Sequence, residues 1–293
     1  MKNLFKILKF ITSHPVTKNR KVKSILRFFK WQIISKLYPY PIVFPYIGNS
    51  ELLVRKSLHS ATANYYVGLQ EFEEMSFVLH LLIESDVFFD IGANIGIYTI
   101  LASKIKRAET HSFEPVKETA FFLKCNIVLN EIENLVEIHN YALGDKKGNV
   151  GFSNNLDSQN HVLNSNIKAD YTINVEMLDE VAKKTPLLIK MDVEGFEMHV
   201  LNGAKNILED ENFKALIIEM NGSTNRYGVS DDEIHELLTV RGFKVYTYYP
   251  FKKEIKEKEK YSVNGNNIYI RDLEFVKKRL EKADIINVYG ISV

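Results

Sequence analysis

The stretch Val87-Phe88-Phe89-Asp90-Ile91-Gly92-Ala93-Asn94-Ile95-Gly96 decides how the rest of the chain is read. Its apolar start, running into an acid, is the pattern of a strand buried on both faces. Gly92 permits a tight turn, and Gly96 lets the start of the next helix approach a ligand or the strand without a side chain between them. The unit is strand, glycine turn and helix, with spacing G-x-x-x-G. It lacks the G-x-G-x-x-G that presents helix amides to a pyrophosphate, and the terminal Gly-Lys-Ser/Thr of a P-loop. Taken alone, it is equally a plain strand-to-helix connection.

Outward from this unit, helical periods alternate with short apolar runs, which predicts a doubly wound, Rossmann-like α/β domain with a mostly parallel sheet. Seven strands are expected, at residues 87–91, 109–113, 136–141, 187–191, 215–220, 243–249 and 267–270, with helices between them. Residues 144–185 are too long and polar for a simple crossover. Two extra strands, Gly148–Phe152 and 171–175, and a short helix at 178–182 are expected there, in an insertion placed to cover a site. The charged stretch 252–260 reads as a solvated loop.

Two acidic positions follow from the strand order. Glu114 ends the second strand, 22 residues beyond Gly92, where an acid accepts hydrogen bonds from ribose hydroxyls. Its alternative role is to cap the helix that begins near Lys117. The run Lys190-Met191-Asp192-Val193-Glu194-Gly195-Phe196-Glu197 ends the fourth strand. Open α/β sheets bind ligands at such carboxyl ends, which puts Asp192 and Glu194 in one crevice with Asp90 and Glu114. Glu197 is read as complementing the amino end of the following helix.

Composition narrows the class. Of 293 residues, 45% are hydrophobic and 26% charged, which suits a globular protein and excludes extensive disorder. The single cysteine, Cys125, excludes a disulfide-stapled scaffold or a Cys-rich metal module, and points to the cytoplasm. Residues 1–50 hold ten Lys or Arg and no Asp or Glu, leaving 28 basic against 37 acidic residues in the remainder. Lysines interrupt every apolar run there, and Lys36, Pro39, Pro41 and Pro45 break the stretch 31–47, so neither a signal peptide nor a spanning helix is expected. The reading is a basic helical arm, 1–48, ahead of a catalytic domain, 49–293, whose motif core is 86–250. Apolar residues at Leu4, Ile7, Leu8 and Ile11, then at Val22, Ile25, Leu26, Phe29, Ile33 and Leu37, make two amphipathic helices. These stripes pack on protein, or residues 1–40 lie on an anionic membrane face. Nucleic acid is not expected as a partner, because the remainder is acidic and no recognised module is present.

The motifs in combination resemble one known family. Asp90-x-Gly92-Ala93-Asn94-x-Gly96 with Tyr98-Thr99, then Phe113-Glu114-Pro115, Asn126 and Asn130, Asn140-Tyr141-Ala142-Leu143-Gly144, and Asp192-x-Glu194-Gly195-x-Glu197 are similar in order and spacing to the FkbM family of S-adenosylmethionine-dependent methyltransferases. The resemblance implies the class I methyltransferase fold, a seven-stranded sheet with its last strand antiparallel. It implies that Asp90, Gly92, Asn94 and Gly96 surround the methionine part of S-adenosylmethionine, that Glu114 holds the ribose, and that Asn140, Ala142 and Asp145 lie near the adenine. It further implies O-methylation of a sugar or related natural-product hydroxyl. A hydroxyl acceptor calls for a general base, for which Asp192 is named, with His161 in the insertion as the competitor. Tyr65, Tyr66, Tyr98 and Tyr227 are candidates for stacking on a pyranose ring. No metal is expected, although Asp192, Glu194 and Glu219 offer oxygens of the kind Mg²⁺ takes. Two rival readings stand beside this one: an NAD-dependent nucleotide-sugar dehydrogenase or epimerase, and a cofactor-binding scaffold without catalysis.

Overall fold

The computed structural model describes residues 2–56, 58–152 and 171–293. The main sheet holds strands β1 (Val87–Ile91), β2 (Glu109–Phe113), β3 (Val136–His139), β4 (Leu188–Met191), β5 (Ala215–Met220), β6 (Lys244–Tyr249), β7 (Glu254–Glu257) and β8 (Gly265–Ile270). Their order across the sheet is β7-β6-β8-β5-β4-β1-β2-β3. Strands β1 to β5 are mutually parallel, and β8 runs antiparallel to both β5 and β6. The chain thus winds outward from β1 through β2 to β3, then returns to the other side of β1 to lay down β4 and β5. This reversal between β1 and β4 is a topological switch point, and it opens a crevice above their carboxyl ends. The α/β class and the antiparallel last strand are as implied, and the seven expected strands are joined by an eighth, β7, at the sheet edge.

Alternate residues of the inner strands feed two cores, as strands covered on both faces require. Phe88 and Leu188 pack with Phe77 and Val78 of the helix Phe72–Leu81 and with Leu101 on one face. Phe89 and Ile189 pack with Val200, Leu201, Ile234 and Leu238 of the opposite helices on the other. One expectation is corrected. The charged stretch 252–260 contains strand β7, paired antiparallel to β6 at the sheet edge. Its exposed Glu254, Lys256 and Glu257 are the charges that keep an open edge from pairing with another chain.

The insertion forms a second, three-stranded sheet. Tyr171–Glu176 runs parallel to Ala142–Leu143 and antiparallel to Gly148–Phe152, followed by the short helix Leu178–Val181. Both expected extra strands are present. His161 falls at 153–170 and lies outside the described residues.

At the amino end, helices α1 (Lys2–Ser13) and α2 (Lys21–Leu37) pack together ahead of a hairpin of Ile42–Pro45 with Glu51–Val54. The hairpin spans the expected join at residue 48. Its second strand is pegged to the helix Lys117–Leu129 by Asn130, whose amide bonds both the N–H and the C=O of Glu51, and by Asn126, whose Oδ1 accepts from Leu53 N. The face that α2 turns inward carries Ser24, Phe28 and Trp31. Of the apolar stripe read from its period, Val22, Leu26, Phe29, Ile33 and Leu37 point outward and Ile25 is half-buried. Among the described residues, no helix is long and apolar enough to cross a membrane.

Candidate active site

The crevice at the switch point encloses about 1110 Å³, including its open mouth. Asp90, Gly92, Ala93, Asn94, Glu114, Ala142 and Asp192 all line it, together with Glu71, Tyr98, Lys190 and Glu194. Residues spread over the sequence from 90 to 192 therefore meet at one place.

The glycine turn is a closed backbone unit. Gly92 N and Ala93 N both donate to Phe113 O at 3.0 Å, Gly96 N donates to Ala93 O, and Ile95 N donates to Asn94 Oδ1. Asn94 N donates to Glu114 Oε2 at 3.0 Å. Gly92 sits at φ +77°, where a Cβ would lie 1.8 Å from Asp192 O. Backbone from the first and third motifs is in direct contact here, and only glycine permits it. Gly96, at φ +88°, leaves no room for a Cβ beside Leu123 Cδ1, 2.5 Å away.

Asp90 is fully buried. Its Oδ2 accepts from the N–H and the hydroxyl of Thr99, at 3.0 and 2.7 Å, and so ties the strand end to the helix after the turn. Its Oδ1 is buried and meets no hydrogen-bond donor among the described residues. Burial pushes the Asp90 carboxyl up, against the pull of Lys190 and Thr99.

Glu114 takes both of its expected parts. Oε1 accepts from Val116 N, at the start of the helix Lys117–Leu129, and Oε2 accepts from Asn94 N. Each carboxylate oxygen keeps a further lone pair, so the group still accepts from a ligand in the crevice. Burial raises it to about 7. Asn140 is exposed and does not line the crevice; its Nδ2 donates to the carbonyls of Glu114 and Pro115 and holds that loop in place. Asp145 is likewise away from the crevice, beside His199 at 3.4 Å.

The end of β4 gathers charge. Lys190, buried, has its Nζ 3.1 Å from Asp192 Oδ2 and 5.3 Å from the centre of the Tyr98 ring. Burial alone would lower its pKa, but Asp192, Glu71 and Asp90 outweigh burial and raise it. Tyr98 donates in turn to Glu71 Oε2 at 2.6 Å. Carboxylate oxygens of Asp192, Glu194 and Glu219 lie within 4.8 Å of one another. Burial, then the charge of Asp192, raises Glu194 to about 7 and Glu219 to about 8. Glu197 behaves as read: its Oε1 accepts from Val193 N and Gly195 N at the head of the helix Glu197–Asn202. Of the four tyrosines proposed for stacking, only Tyr98 lines the crevice. Tyr65 and Tyr66 pack with Trp31, Phe44 and Phe28, and Tyr227 packs against Phe196, because their flat faces are needed in those cores.

These raised carboxyls make stability depend on pH. An acid whose folded pKa exceeds its unfolded value stabilises the fold fully below the unfolded value, and that contribution is lost as pH rises through the folded one. For Glu219 the window runs from its ordinary value of 4.5 to about 8. The melting temperature of the ligand-free protein is expected to fall across this window, and Glu219→Gln to flatten the fall; a wild-type curve rising through it would contradict the assignment.

The profile of the methyltransferase FkbM domain matches residues 90–245. The hexuronic acid methyltransferase AglP of Haloferax volcanii is 29% identical over 170 residues, which cover 55% of this chain and 66% of that relative. Among solved structures, methyltransferase FkbM of Methylobacillus flagellatus superposes with a TM-score of 0.46 at 15% identity, over 85% of this chain and 60% of the other. A Streptococcus mutans protein solved in complex with SAH gives 0.42 at 10% identity, over 68% and 96%.

Proposed function

Because the chain belongs to the FkbM methyltransferase family, we propose that it transfers a methyl group from S-adenosylmethionine to a hydroxyl of a sugar, on a glycan, a glycolipid or a related small molecule. The observation that carries the choice of cofactor is the state of the turn's amides. From Gly92 to Gly96 every backbone N–H is held by a protein acceptor. A pyrophosphate needs such donors free, and it would meet Glu71, Asp90, Glu114, Asp192 and Glu194 around the crevice. That arrangement disfavours NAD and suits a nucleoside that carries a positive sulfonium. The group fits the residues present: Asp90 Oδ1 is a buried acceptor lacking a donor, and Glu114 has lone pairs for two ribose hydroxyls.

When bound, S-adenosylmethionine supplies an electrophilic methyl group. In our reading Asp90, Gly92 and Asn94 shape the pocket for its methionine end, Gly96, which does not line the crevice, closes the turn behind them, and Glu114 orients the ribose. Ala142, buried beside Leu143, offers the adenine a flat apolar wall. Asp192, at the mouth, orients the acceptor hydroxyl and takes its proton. Lys190 holds Asp192 Oδ2 at 3.1 Å and so fixes the direction of the carboxylate. Orienting the acceptor against the methyl is worth about 7–11 kcal/mol, and a placed base adds about 10² to 10⁴ in rate.

Calorimetry with S-adenosylmethionine and with NAD, followed by mass spectrometry of uronic-acid and neutral-sugar acceptors for a gain of one CH₂, tests the proposal. Binding of NAD alone would sink it, and cofactor binding without any product would favour the scaffold. Glu114→Gln is expected to weaken cofactor binding by roughly 10- to 100-fold, the worth of a hydrogen bond to a charged group. Cofactor affinity in the unaltered protein should rise as pH passes through about 7, where Glu114 ionises and becomes the stronger acceptor. A flat profile from pH 6 to pH 8 would remove Glu114 from the ribose.

A further inference from the structure

Helix α2 is apolar on two opposite faces. Phe28 and Trp31 are buried, and Trp31 meets Phe44 and Tyr65. On the other side Val22, Leu26, Phe29, Ile33 and Leu37 follow steps of four, three, four and four residues, which is one straight row on a helix, about 22 Å long. All five are exposed, Val22 at 72% and Leu37 at 79%. Five large apolar side chains aligned in water form a patch of the kind that marks an interaction surface. Helical spacing sets exposed Lys23 and Lys30 along one border of the row and exposed Lys36 along the other. Neighbouring α1 adds exposed Leu4, Phe5, Ile7 and Phe10, with Lys6 and Lys9 also exposed.

The arm is fastened to the body, so this face is held in place. Arg20 donates to the carbonyls of Tyr289 and Gly290, and the Arg27 guanidinium lies 3.7 Å above the Tyr289 ring.

We propose that this outward face of α1 and α2 seats the protein on an anionic lipid surface, with the apolar row in the acyl boundary and the lysines among the headgroups. Charge selects this occupant over a second copy of the chain. Residues 1–50 contain no acid, so an isologous contact of the face with itself would set lysines against lysines. An anionic bilayer supplies the missing countercharge over the whole length of the row. The proposal does not depend on methyl transfer and is tested without it.

The full-length protein is to be sedimented with phosphatidylcholine vesicles and with vesicles in which part of that lipid is replaced by phosphatidylglycerol. Binding is expected to the second kind alone and to weaken with salt. Replacing Lys23, Lys30 and Lys36 by Gln should weaken it about fivefold for each lysine, on the order of a hundredfold together. Leu26→Ser with Ile33→Ser should abolish it. Both variants alter exposed side chains, so thermal unfolding should match the parent. The proposal is overturned if the parent ignores phosphatidylglycerol vesicles, if the lysine variant binds them as well as the parent does, or if light scattering shows a dimer that Leu26→Ser and Ile33→Ser dissociate.

Discussion

Gly92→Ala is expected to lose about 3 kcal/mol or more of stability, because one added carbon meets two obstacles at once. At φ +77° an L side chain is strained by about 1–3 kcal/mol before any contact is considered. The new Cβ would also stand 1.8 Å from the carbonyl oxygen of Asp192, which is backbone and cannot swing away. Relief requires β1 and β4 to part at their carboxyl ends, where the crevice forms. For a chain of this size about 3 kcal/mol corresponds to a fall of roughly 5 °C in melting temperature. Cofactor binding should vanish with it. Gly265→Ala is the control: nothing lies within 4 Å of the Cβ position, and its φ is unremarkable. If both variants melt together, the contact between the two motifs is not what holds the turn.

Asp192→Asn is expected to cut turnover by about 10² to 10⁴ while changing cofactor affinity less than about tenfold. The replacement keeps the shape and removes the capacity to take a proton. It also removes the charge that, after burial, holds Glu219 up near 8, so the Glu219 carboxyl should titrate lower in the variant. Turnover lost with cofactor affinity kept is what separates a base from a merely structural residue. If turnover survives in Asp192→Asn and disappears in His161→Ala, the base lies in the segment 153–170.

Much of the crevice was legible because its parts are local. A strand, a glycine turn and a helix occupy contiguous residues, and the strand order then places Glu114 and Asp192 at carboxyl ends on either side of β1. Asn126 and Asn130 were legible as motif members but not as pegs. Their partners, Glu51 and Leu53, lie more than 70 positions away, and no local pattern announces such a bond. Glu71 gave no signal at all: it precedes the helix Phe72–Leu81 ahead of β1 and matters only because Tyr98 and Lys190 are folded against it. Strand β7 was hidden because an exposed edge strand is charged for the same reason a loop is. The period of α2 was legible and the face it buries was not, since the helix packs through Phe28 and Trp31 and leaves the more regular row on the far side.

The clasp of Arg20 on Tyr289 and Gly290 joins positions 269 and 270 residues apart. A chain made from its amino end has long since released Arg20 from the ribosome when these carbonyls appear, and the loop to be closed is 269 to 270 residues long. Closing it adds little to the equilibrium cost, since that cost grows only with the logarithm of length, but it orders events in time. Until residues 289 and 290 are made, the greasy, lysine-edged helices lack this clasp, and chaperones or lipid can meet them first.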